Sequence, residues 1–105
     1  MTRKSEMDQY QEDLDMLDMS MKNAYRVLTN RISIRRLINS SDDQGMWLPY
    51  SDIFNPSNED IDSVIDYYSD LEEYEKCAEL VKIKEYRKIQ SKINRINNSK
   101  LGGIK

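Results

Sequence analysis

The chain reads as an all-α protein. Three observations predict this: apolar residues recur at steps of three and four over long runs, 33% of the residues are charged, and there are only 3 Gly and 2 Pro among 105 residues. An all-β fold needs a turn every dozen residues or so, and this composition does not supply the turn formers. The length suits one modest domain, and an apolar fraction of 38% leaves it a thin core. The expected architecture is a single helical domain over 1–105. It comprises a helix over about 7–38, an irregular aromatic and Pro-containing connector over 39–57, a helical hairpin or one long helix over 58–97, and a frayed tail over 98–105.

The first helix follows from Leu14, Leu17, Met21, Ala24, Tyr25, Leu28 and Ile32, which fall on one face. Acids (Glu12, Asp13, Asp15, Asp18) gather towards its start and Arg26, Arg31, Arg35 and Arg36 towards its end, the order a helix dipole favours. The β-branched stretch Thr29, Ile32 and Ile34 lowers helix propensity, so a bend near Thr29–Asn30 is expected.

Turn chemistry follows in Asn39-Ser40-Ser41-Asp42-Asp43-Gln44-Gly45. The next segment, 46–56, holds the only Trp, the only Phe and both prolines, which disfavours a regular helix. Its aromatics Trp47, Tyr50 and Phe54 either plug the space between helices or stand exposed as anchors for a partner.

Ser57 has the side chain of an N-cap, with Glu59 and Asp60 in the first turn behind it. Ile61, Val64, Ile65, Tyr68 and Leu71 then mark an apolar face. Tyr74, Cys77, Ala78 and Val81 carry it on, and Tyr86, Ile89, Ile93 and Ile96 form a second stripe displaced around the axis. A displaced stripe implies a break, a curve or two different partners. Helices this long with this little core cannot bury both stripes in a monomer, so coiled-coil-like self-association is expected, with Met16 and Met19 offering a second contact face for a homodimer seam.

Composition argues against several function classes. Without histidine the chain lacks the usual general base and the commonest metal ligand, and a lone Cys77 has no such base to activate it. No calcium-loop order of alternating oxygen ligands occurs in the acidic clusters, and no phosphate-cradling glycine loop is present. The reading is therefore non-enzymatic, with no cofactor, metal or small-molecule substrate. No run of 18 apolar residues is available for a membrane span, and Met1-Thr2-Arg3-Lys4 is not followed by a leader's apolar stretch. With a single cysteine, this sets the expectation of a reducing, cytoplasmic location.

The stretch Leu71-Glu72-Glu73-Tyr74-Glu75-Lys76-Cys77-Ala78-Glu79-Leu80 resembles the UVR motif, a short helical hairpin used for protein–protein docking. The likeness rests on an aromatic followed by Glu-Lys, two small residues and Glu-Leu. It departs where the family continues Arg-Asp, since Val81-Lys82 stand here, and where Cys77 replaces an alanine. The resemblance implies a turn near Asp70 and docking residues at Tyr74, Glu75, Cys77 and Leu80. The overall style, short, acidic and rich in Tyr and Met, also resembles small accessory proteins of large tailed phages. That likeness implies binding to host machinery.

Charge is unevenly placed. Residues 81–105 hold 8 of the 16 basic side chains and only Glu85 of the 19 acids. Lys82, Lys84, Arg87, Lys88, Lys92 and Arg95 form the basic face, of which Lys84, Lys88, Lys92 and Arg95 share one side of a helix. Three uses remain open: pairing with the acidic first helix, antiparallel within a monomer or across a dimer, docking on an acidic protein, or contact with nucleic-acid phosphates. The leading expectation is a protein-binding regulator acting on a host or viral protein. The alternatives are a nucleic-acid-binding accessory factor in replication, recombination or transcription, and a virion or assembly component.

Overall fold

A computed structural model describes the backbone of residues 6–40 and 47–103, and the side chains of 6–40 and 47–97. The described residues form four helices and no strand: α1 (Glu6–Leu28), α2 (Ile34–Ser40), α3 (Asn58–Asp70) and α4 (Tyr74–Gly103). The fold class is all-α, as the sequence predicts. The run expected over about 7–38 is two helices, broken where the bend was expected. The tail expected over 98–105 is helical as far as Gly103.

Two breaks of the same kind shape the chain. After α1, Asn30 takes a left-handed φ of 61°. Its amide donates to Val27 O (3.1 Å), and the Arg31 amide donates to Arg26 O (2.8 Å). After α3, Glu72 takes φ 59°. Its amide donates to Ser69 O (3.0 Å), and the Glu73 amide to Tyr68 O (2.9 Å). These are Schellman caps, which satisfy the last carbonyls of a helix and turn the chain out of it. Asparagine tolerates the left-handed position. Glutamate tolerates it poorly, and no glycine marks the turn in the sequence.

At the start of α3 the Ser57 hydroxyl accepts from the Asp60 amide (3.1 Å), and the Asp60 carboxylate accepts from the Ser57 amide (2.8 Å). This reciprocal box contributes about 1 kcal/mol and fixes where the helix begins. The Leu71-Glu72-Glu73 turn then returns the chain as α4, which lies antiparallel against α3 in a hairpin.

α1 closes the core on that hairpin. Met21, Ala24 and Tyr25 pack with Ile61, Val64, Tyr68, Leu80 and Tyr50, and Ala24, Ile61, Val64 and Leu80 are completely buried. The Tyr25 and Tyr68 rings meet edge to face at 5.7 Å. Contacts along α1 give its direction. Asp18 meets Tyr67 near the hairpin turn, Tyr25 meets Glu79, and Val27 and Leu28 share a groove with Ile83 and Arg87. Hence α1 runs parallel to α4 and antiparallel to α3.

That direction overturns one expectation. The acidic start of α1 and the basic end of α4 do not pair antiparallel within the monomer; they leave the body at opposite ends. Residues 6–17 are all exposed, as are Ser91–Asn97. The molecule measures 73 × 32 × 21 Å with a radius of gyration of 18.2 Å, against about 13 Å for a compact chain of this size.

Candidate docking groove

An open apolar recess lies where the α1–α2 break, the connector and α4 converge. Leu28, Ile32, Ile53, Phe54, Pro56 and Ile83 line a groove of about 390 Å³. Each wall has a local cause. The Asn30 cap swings Ile32 back beneath α1, where it is buried. Pro56 ends the connector just ahead of the Ser57 cap, and its carbonyl accepts from Arg87 Nη2 at 2.6 Å, which ties the connector to α4. Arg87 Nη1 is buried at the same place without a partner among the described residues. Phe54 stands on the rim, 68% exposed.

The three connector aromatics thus part company. Tyr50 is a core residue, and burial pushes its hydroxyl up to about 12. Trp47 is half-buried, and its carbonyl accepts from Asn23 Nδ2 at 3.0 Å, which fastens the connector to α1. Only Phe54 stands out as an anchor would.

The residues of the UVR-like stretch also divide. Leu80 sits at the centre of the core and Tyr74 and Glu75 are exposed. Cys77 is half-buried, its thiol donating to Ile65 O at 3.5 Å across the hairpin. They face different ways and form no single surface.

The basic face is likewise split. Lys84 is paired with Asp62 of α3, and Arg87 is committed to Pro56. Lys82, Lys88, Lys92 and Arg95 are exposed, the last two on the part of α4 that projects past the body. Among the described residues no three carboxylate or thiol groups gather as a metal would require, and no helix is long and apolar enough to cross a membrane.

A polar cluster on the opposite side of α1 escapes reading from sequence. Glu79 accepts from Tyr25 Oη at 2.6 Å and from Arg31 Nη1 at 2.8 Å, while the Arg31 guanidinium lies 4.9 Å from the Tyr25 ring centre. Arg31, and then Tyr25, hold the Glu79 carboxyl below its ordinary range. Nearby, Lys22 and then Tyr67 lower Asp18 in the same way, and burial followed by Asp18 pushes Tyr67 up to about 12. The partners Tyr25 and Glu79, and Asp18 and Tyr67, lie some fifty positions apart in the chain, and the packing of α1 on the α3–α4 hairpin brings them together. Ile53 and Ile83 are also missed, because each falls off the helical stripes.

Comparison with protein-family models, curated proteins and solved structures finds no match to this chain.

Proposed function

We propose that the chain is a non-enzymatic, protein-binding regulator that seats an apolar side chain or short helix of its target in the groove beside Phe54. The observation that carries this reading is the open apolar groove with an exposed aromatic on its rim. An exposed phenylalanine costs solubility, and it gains binding energy only when a partner covers it. The walls are already set by the Asn30 cap and the Arg87–Pro56 bond, so little ordering entropy is lost on docking. The likeness in style to phage accessory proteins makes host machinery the first class of target to try.

The test is capture from lysate with tagged wild-type chain and the Phe54→Asp variant, each with and without nuclease. Phe54 is exposed, so the substitution spares the core. One protein held stoichiometrically by wild type in both conditions and released by Phe54→Asp supports the reading. A protein held equally by the variant moves the site elsewhere.

A second reading rests on a different observation. Lys88, Lys92 and Arg95 are exposed along the end of α4 with no acid between 86 and 97, a short cationic rod that suits phosphates. Capture lost on nuclease treatment, together with steeply salt-dependent binding to duplex DNA or RNA, favours it.

A further inference from the structure

Both projecting helix ends carry an apolar stripe that the monomer leaves uncovered. On α1 it is Met7, Tyr10, Leu14 and Leu17, with Met7 76% and Tyr10 62% exposed. It continues the seam that buries Met21 and Ala24 lower on the same helix, so these positions face the way a core would if one were there. On α4 it is Tyr86, Ile89, Ile93 and Ile96, all more than two-fifths exposed. Each stripe steps by three, four and three, the spacing of a coiled-coil seam. Each spans about 15 Å at the helical rise.

The flanks of the two stripes carry opposite charge. Residues 6–18 hold six acids and no base. Residues 86–97 hold four bases (Arg87, Lys88, Lys92, Arg95) and no acid. Asp13 and Asp15 border Leu14 on either side, and Lys88 and Lys92 border Ile89 on one side by helical spacing. Because α1 and α4 run parallel, one arm leaves each end of the molecule.

We infer that a second copy of this chain covers both arms. A two-fold axis across the long dimension reverses the ends, so each acidic arm lies antiparallel along the other protomer's basic arm. Leu17 of one protomer then meets Tyr86 of the other, Leu14 meets Ile89, Tyr10 meets Ile93, and Met7 meets Ile96. The contact occurs twice, and the assembly closes as an isologous dimer. This arrangement relieves what a monomer leaves unresolved: two exposed apolar stripes and a separation of charge along 73 Å. It occupies a surface distinct from the Phe54 groove, which stays open to a target.

The experiment is sedimentation of the full chain over a wide concentration range, with helicity checked by circular dichroism. Three variants accompany wild type: Asp13→Lys with Asp15→Lys, Lys88→Glu with Lys92→Glu, and Ile93→Asp. All five positions are exposed, so none removes a core contact. Wild type is expected to dimerise, and more weakly as salt rises. Each charge-reversed variant sets like charges against each other at the reversed positions and weakens the attraction between the arms, raising the dissociation constant about tenfold or more. Mixing the two reversed variants restores a dimer, because both arm pairs become complementary again. Combining all four reversals in one chain restores it too. Ile93→Asp abolishes it.

Wild type that stays monomeric overturns the inference. So does a pair of reversed variants that dimerise as wild type does, or that fail to rescue one another. Mass that keeps growing with concentration overturns the closed dimer in favour of a head-to-tail chain. Reversal of Lys88 and Lys92 that changes only DNA or RNA binding assigns the basic arm to nucleic acid.

Discussion

Glu72→Gly is expected to make the protein more stable, against the general rule that glycine weakens a helical fold. Glu72 is exposed and sits at φ 59° in the cap that turns α3 into α4. For a residue with a Cβ, the left-handed region costs roughly 1–2 kcal/mol. Glycine removes that cost but gives the unfolded chain extra freedom, worth about 0.4–1 kcal/mol. The net expectation is a gain of about 0.5–1 kcal/mol, which raises Tm by several degrees in a domain of this size. Charge contributes as well, because Glu72 follows Asp70 at the negative end of the α3 dipole. Glu72→Ala separates the two effects: it removes the carboxylate and keeps the Cβ. Urea denaturation of wild type, Glu72→Ala and Glu72→Gly, followed by circular dichroism, gives the three stabilities. If Gly is no more stable than Ala, the cap is not strained and the account of the hairpin turn is wrong.

The core allows a paired prediction. Leu80→Ala, at a completely buried position in the core that α1, α3 and α4 share, is expected to cost about 2–5 kcal/mol. Tyr68→Phe is expected to cost less than about 1 kcal/mol or to stabilise, since the buried Tyr68 hydroxyl has no partner among the described residues; chemical denaturation compares the two. Acid sensitivity follows from Glu79 and Asp18, whose folded-state values lie below the ordinary carboxylate range. Such groups contribute stability above the unfolded value and lose it as pH falls through the depressed folded one. Glu79→Gln should therefore flatten the decline in stability between mildly and strongly acidic pH, measured by denaturant midpoints along a pH series.

Periodicity in the sequence identifies which face of a helix is apolar, but not where that face finds a neighbour. Leu14 and Leu17 share the register of Met21 and Ala24, yet only the latter pair is buried, because the hairpin ends before it reaches the former. The Ser57 cap is legible because a capping box is local, with all its groups within four residues. The turn near Asp70 is legible from the break in pattern, whereas the residue that makes it is not, since Glu72 carries no signature of a left-handed position. Among Trp47, Tyr50 and Phe54 nothing in residue type tells core from rim; the difference arises from where a non-repeating segment crosses α1. Arg87 belongs to the basic stripe by spacing and to the connector by contact. A one-dimensional charge pattern cannot show that a cation has already been claimed by a carbonyl 31 residues away.

The chain order of the packed helices also sets an order of assembly. The α3–α4 pairing joins neighbours across a three-residue turn, so little loop entropy opposes it, whereas α1 reaches its place only after a connection of about thirty residues closes. The hairpin is thus the expected nucleus: Ile61→Val should slow refolding, while Ala24→Gly should mainly hasten unfolding. On the ribosome the consequence is sharper. α1 emerges first, but Leu80, which completes its binding surface, lies more than fifty residues behind Tyr25. Until then the first helix is a key with no lock, since the residues that cover Met21 and Tyr25 in the folded chain are not yet made.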